Sequence, residues 1–166
     1  MVKRLYIVLL LLIVISTPLS IIKISTNNIT NNTNSISNND YYGKLIIDKI
    51  NLNEELFPID SNENTIERHV SILKDSNKDL MIIAAHSGIG PLAYFQELDK
   101  LELNDEIILI IENNKTIYIV KDIWEEKKNG YININKENNK QLILTTCSPN
   151  KEGYQLVINC IKKESI

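Results

Sequence analysis

From about residue 41 onward, apolar positions come in short runs separated by Asn, Asp, Gly and Pro, and most of these runs predict strands. Residues 44–50 and 52–56 are two such runs split by Asn51, and residues 80–85 form a third, continuous enough to be buried on both faces. Residues 106–111 and 116–124 are joined by Glu112, Asn113, Asn114 and Lys115, a polar loop of hairpin length. Residues 141–146 and 154–161 complete the set. Two stretches predict helices instead: residues 63–72, and residues 92–101, where Leu92, Phe95, Leu98 and Leu101 recur every third position and would share one face. Many short strands with few helices predict a mainly β domain, a barrel or a sandwich. No repeat of 20 to 50 residues is evident.

Ahead of this domain the pattern changes twice. Lys3 and Arg4 precede 18 uncharged residues, Leu5 to Ile22, about the minimum of ~17–20 for a membrane-spanning helix, with Pro18 as a point of kinking or early termination. A cleaved leader would need small residues before the cut, and Thr17-Pro18-Leu19-Ser20 is a poor site, so residues 1–22 read as an uncleaved transmembrane anchor. The two cations favour a cytoplasmic N-terminus and an extracellular remainder. Residues 23–40 are dominated by Asn, Ser and Thr and read as a flexible linker, a coil reaching about 25 Å. Residues 41–166 are then a single exported domain.

Charge and motif content remove several classes of function. The chain has 18 basic and 21 acidic residues, a formal net charge of −3, which becomes −5 without Lys3 and Arg4. Its lysines are scattered rather than striped, so a nucleic-acid partner is not expected. No Gly-rich phosphate loop is present, and two histidines with two cysteines at unrelated spacings make no zinc pattern, so neither a metal nor a cofactor is expected.

The remaining chemistry lies in two places. Gln141-Leu-Ile-Leu-Thr-Thr-Cys147 is a β-prone run ended at once by Ser148, Pro149 and Asn150, so Cys147 sits at a strand end where a loop exposes it. Met81-Ile-Ile-Ala-Ala-His86 ends in the same way, followed by Ser87-Gly88-Ile89-Gly90. The two reactive side chains are 61 residues apart and a sheet can bring them together as nucleophile and acid–base partner. His69, in the stretch Ile66 to Val70, reads as an ordinary, partly exposed side chain, and Cys160, near the end of the last strand, as core. Thr146 and Ser87, next to the two reactive residues, are candidates for substrate contact. Trp124 and Tyr131 flank a polar stretch, Glu125 to Gly130, that reads equally as one wall of a substrate groove or, for the two aromatics, as core packing or a surface loop.

Leu142-Ile-Leu-Thr-Thr-Cys147, preceded by Ala84-Ala-His86, by Ala93-Tyr-Phe-Gln-Glu-Leu-Asp-Lys-Leu101 and by Leu101-Glu-Leu-Asn-Asp-Glu106, resembles the sortases, membrane-anchored cysteine transpeptidases of Gram-positive bacteria. Against the family's Thr-Leu-x-Thr-Cys, the first Thr is Ile143 here. The resemblance implies a closed eight-stranded β-barrel with two or three short helices after an N-terminal transmembrane helix. It implies a thioacyl-enzyme on Cys147, formed from a Leu-Pro-x-Thr-Gly-like sorting signal of a surface protein and resolved by an amine of a peptidoglycan precursor or a pilin, with His86 as general acid and base. The family's third residue is an arginine ahead of an apolar run on the next strand; the run here is Leu156-Val157-Ile158 and the residue ahead of it is Gln155, with Arg68 and Lys151 as other possible cations. The short segment between Glu125 and Gln141, and the lack of an upstream Asp-Pro-aromatic lid, point to a compact class A, D or E-like member. Two alternatives keep the same fold: a hydrolytic cysteine peptidase, and a catalytically weak or silent domain that binds sorting signals.

Overall fold

A computed structural model describes residues 41–164. Eight strands, β1 (Gly43–Ile47), β2 (Leu52–Leu56), β3 (Ser71–Ile72), β4 (Leu80–Ala84), β5 (Glu106–Ile111), β6 (Asn114–Lys127), β7 (Gln141–Cys147) and β8 (Tyr154–Lys162), form one sheet in the order β2-β1-β5-β6-β8-β7-β4-β3. Every ladder is antiparallel except the one between β4 and β7. The sheet curls into a nearly closed barrel. The anchor and the linker expected at residues 1–22 and 23–40 lie outside the described residues, among which no helix is long and apolar enough to cross a membrane.

The expected closure is incomplete at one seam, because β2 and β3 are both edge strands. The reason is local. Asn64 turns its side-chain amide onto Ile72, accepting from the Ile72 N–H and donating to the Ile72 carbonyl, both at 2.8 Å. Those are the backbone groups an eighth ladder, closing the barrel, would use, so one asparagine covers the free edge of β3.

The two predicted helices are not α-helices. In residues 63–72 the only helical feature is one turn, with the N–H groups of Arg68 and His69 both donating to the Thr65 carbonyl (3.1 and 2.9 Å); Asn64 competes for the backbone beyond it and Ser71–Ile72 becomes β3. Residues 92–101 form successive tight turns ending in a 3₁₀ helix, Leu98–Lys100. A spacing of three is the period of a 3₁₀ helix, and it buries Phe95, Leu98 and Leu101 while leaving Leu92 exposed. A second 3₁₀ turn, Asp48–Ile50, closes the run expected as one strand over residues 44–50; Asn51 behind it takes a left-handed conformation (φ 52°), which lets β2 return beside β1. The β5–β6 hairpin turns on two residues, Glu112 and Asn113, both at positive φ (47° and 66°), tighter than the loop expected and matched to the twist of the strands.

Two apolar layers lie on opposite faces of the sheet. Leu45, Ile47, Ile83, Leu109, Leu142, Leu144, Leu156 and Ile158 fill the barrel, plugged by Phe95, Leu98 and Leu101. The alternate residues Ile82, Ile143 and Val157 point outward and are covered by Ile132 and Ile134 of the β6–β7 connection, with Leu73, Leu80 and Trp124 beside them. β7 is therefore buried on both faces, which explains its unbroken apolar run. Ile132 and Ile134 are only partly buried, so each contributes less than the ~1.5–3 kcal/mol of a fully buried side chain, and the connection is held by apolar contact together with its hydrogen bonds to Gln155 and Glu126.

A bulge in β6 decides what faces that connection. Val120 pairs with Cys160, and both belong to the barrel core; the register then shifts, so that Asp122, Trp124 and Glu126 pair with the outward residues Asn159, Val157 and Gln155. One extra residue, Lys121, turns the even-numbered side chains of β6 from the interior to the outer face.

Candidate active site

The parallel pairing of β4 with β7 brings the two reactive residues together. The ladder matches Ile82 with Ile143 and Ala84 with Thr145, and three bonds carry the register past its end. The Ala85 N–H donates to the Thr145 carbonyl (3.4 Å), the Thr146 hydroxyl to the Ala85 carbonyl (2.7 Å), and the Ser87 hydroxyl to the Cys147 carbonyl (2.9 Å). His86 thus falls beside Cys147, and both side chains are exposed. Thr146 and Ser87 act here as backbone ties between the strands, one on each side of the pair. The His86 carbonyl is held in turn by the N–H of the buried Phe95 (2.9 Å), so the 3₁₀ segment fixes the loop that carries the histidine.

Continuing across the sheet, Cys147 pairs with Gln155 and Gln155 with Glu126. His86, Cys147, Gln155 and Glu126 therefore make one cross-strand row over β4, β7, β8 and β6. Gln155 occupies the position where the family arginine is expected, lines the same groove as Cys147, and is buried. Its Nε2 donates to Glu126 Oε1 (3.1 Å) and to the Tyr131 carbonyl (2.7 Å). The amide thereby ties the β6–β7 connection to the row. Burial opposes ionisation of Glu126, but the Asn133 side chain, Gln155, the Asn133 N–H and the Trp124 indole together hold its carboxyl below the usual range.

The other cations named from the sequence are engaged elsewhere. Arg68 pairs with Glu63 (3.3 Å), and Lys151 stands over the Tyr154 ring, 3.5 Å from its centroid. His69 packs against the Phe57 ring and lies 3.4 Å from Glu63. Cys160 is buried in the barrel core and burial pushes its thiol far up; it and Cys147 are both free thiols.

One residue at the site escaped the sequence reading. Lys128, just past the end of β6, donates from Nζ to Cys147 Sγ at 3.2 Å. Its backbone is fixed by a bond from its N–H to the Gly153 carbonyl (2.9 Å). The signal was the alternation Trp124, Glu126, Lys128, which continues the outward face of β6; the expected strand stopped at Trp124 and left Lys128 in a loop.

The groove in front of the row has a volume of about 630 Å³. Its lining is mostly apolar, with Ile66, Leu73, Leu80, Ile82, Ala84, Ile132 and Ile134 beside the charged Asp75 and Lys136, and Tyr131 and Lys128 stand at the side of the β6–β7 connection. Trp124 packs in the outer apolar layer, beneath that wall. Among the described residues no group of three or more His, Cys, Asp or Glu side chains is arranged to hold a metal ion.

An exposed thiol and an imidazole at neighbouring strand ends, above an apolar groove, define a β-barrel protein of cysteine–histidine type. Residues 45–161 match the family model of the sortase domain. The chain belongs to the sortase family, a family of cysteine transpeptidases. Among solved structures it is similar to sortase C1 of Streptococcus agalactiae, with 21% identity over 79% of this chain and 72% of that one and a TM-score of 0.65. It is also similar to a lid mutant of sortase A from Corynebacterium diphtheriae (18% identity, 76% and 72% covered, TM-score 0.65). Sortase C of Streptococcus pneumoniae is a further match (18% identity, 80% and 71% covered, TM-score 0.66). At these identities the likeness concerns the fold, and it includes A and C types alike. No curated protein sequence matches the chain.

Proposed function

We propose that this chain is a membrane-anchored transpeptidase whose catalytic domain works outside the cell, cleaving a Leu-Pro-x-Thr-Gly-like sorting signal and joining the product to an amine of a peptidoglycan precursor or a pilin. The observation that supports the reading is the row that sets His86 next to Cys147 at the lip of an apolar groove. That groove suits the Leu-Pro end of such a signal, which has apolar bulk and little need of hydrogen-bonding partners.

Chemically, the thiolate of Cys147 attacks the carbonyl carbon after the Thr of the signal. An S–C bond forms and the π pair moves to oxygen. When the oxyanion collapses, the C–N bond breaks and the imidazolium of His86 gives its proton to the departing amine. The incoming amine then loses a proton to His86 as it attacks the thioester, the S–C bond breaks, and thiolate and imidazolium return. Nothing in this cycle requires a cofactor.

The test is intact-mass spectrometry of the full chain in detergent micelles, incubated with Leu-Pro-x-Thr-Gly-type peptide libraries with and without added amines. The expected result is a thioacyl adduct that is absent in Cys147→Ala, because Cys160 is buried, and that becomes an amide product when an amine is present. A thioester that gives only acid, with amines ignored, would make the protein a hydrolytic peptidase. Peptide binding with no adduct would make it a silent binding domain.

A further inference from the structure

We propose that Lys128 is a catalytic residue, the counter-charge of the Cys147 thiolate, supplied from β6 in place of the arginine expected on β8. The proposal rests on the reading of Cys147 as nucleophile.

A thiolate is the reactive form of cysteine and is favoured by a nearby positive charge. The Lys128 ammonium donates directly to Sγ at 3.2 Å, and among the described residues it forms no ion pair with a carboxylate that would divert its charge. At the arginine position, Gln155 has its Nε2 engaged by Glu126 and the Tyr131 carbonyl and makes no bond to Sγ. Arg68 and Lys151 are held by Glu63 and by the Tyr154 ring.

The position of Lys128 is built rather than incidental. The bulge at Lys121 sets the outward parity of β6, and the bond from the Lys128 N–H to the Gly153 carbonyl fixes its stem one rung beyond the pair of Glu126 and Gln155. An ammonium also differs usefully from a guanidinium. It is a compact charge with three donors on a flexible stem. As the sulfur pair becomes the S–C bond and charge passes to the substrate oxygen, the ammonium can follow that charge and keep all its protons. The proton for the leaving amine still comes from His86.

The experiment compares alkylation of Cys147 by anionic iodoacetate and neutral iodoacetamide in the full chain, in wild type, Lys128→Gln and Lys128→Arg. A unit charge a few ångströms from the attacking sulfur, at a site between protein and water, changes the encounter with an anion by about tenfold. The expected result is a fall of about tenfold in the iodoacetate-to-iodoacetamide rate ratio in Lys128→Gln, restoration in Lys128→Arg, and a parallel fall and rescue in thioacyl formation from peptide. Emission of Trp124, the single tryptophan, verifies that each variant is folded. An unchanged ratio in Lys128→Gln overturns the proposal even if peptides are processed normally. A lowered ratio with no thioacyl adduct in wild type overturns the transpeptidase reading and the catalytic role with it, leaving only an ion pair.

Discussion

Replacing Gln155 by leucine removes two hydrogen bonds at the centre of the cross-strand row, one to the Glu126 carboxylate at 3.1 Å and one to the Tyr131 carbonyl at 2.7 Å. A bond to a charged acceptor contributes about 1.5–3 kcal/mol and a neutral one about 0.5–1.5. The loss is softened because Glu126 keeps its bonds from the Asn133 side chain (2.7 Å) and N–H (3.2 Å) and because Tyr131 is exposed to water. The expected net cost is therefore about 1.5–2.5 kcal/mol near neutral pH, a fall of roughly 4–12 °C in Tm for a domain of this size. The cost also depends on pH. Glu126 has a carboxyl held below its ordinary value of 4.5 by bonds that include Gln155, so the stability it contributes is complete above about pH 4.5 and is lost as pH falls through the lowered value of the folded state. Thermal unfolding of the full chain in micelles, followed by Trp124 emission in a pH series from about 7 to about 3, reads both effects. The gap between wild type and Gln155→Leu should be widest near neutrality and narrow at the acid end. Equal Tm values at neutral pH, or a gap of constant size into acid, would refute the assignment of Gln155 as the tie between connection and sheet.

Thr146→Val keeps shape but removes the donor to the buried Ala85 carbonyl; it should cost about 1–3 kcal/mol in thermal unfolding and slow thioacyl formation, since that bond sets the spacing of the strands that carry His86 and Cys147. Asn64→Ala uncovers both backbone groups of Ile72. Amide exchange at Ile72 should accelerate by at least about tenfold, with about 1–2 kcal/mol lost in stability; unchanged exchange would mean that something other than Asn64 shields the free edge of β3.

Strand content was legible because β7, β8, β4 and β5 combine apolar runs with turn residues at their ends, and no tertiary contact had to be known to read them. β3 was not, because a two-residue strand has no periodicity. The helix expected over residues 63–72 is not formed, because the asparagine amide that redirects the backbone at Ile72 leaves no trace in hydropathy. The spacing of Phe95, Leu98 and Leu101 was seen, but a period of three was assigned to the wrong helix. Cys147 and His86 were legible as strand-end residues, and Gln155 only through the family resemblance, as the residue at the arginine position; its pairing with Cys147 came from the β7–β8 register. Lys128 was not legible, because the strand read from the sequence ends at Trp124 and the bulge that turns the residues beyond it outward leaves no mark in hydropathy.

That same bulge makes β6 a member of two surfaces, with the boundary between them one residue wide. Even-numbered positions before Lys121 answer to barrel packing, and even-numbered positions after it to the outer face beside the groove. A substitution at Lys128 therefore alters the charge beside the thiol without reaching the interior, and one at Tyr118 or Val120 alters the interior without reaching the thiol. The residue at position 155 on β8 and the residue at position 128 on β6 can then change independently within one barrel, since neither belongs to the barrel core.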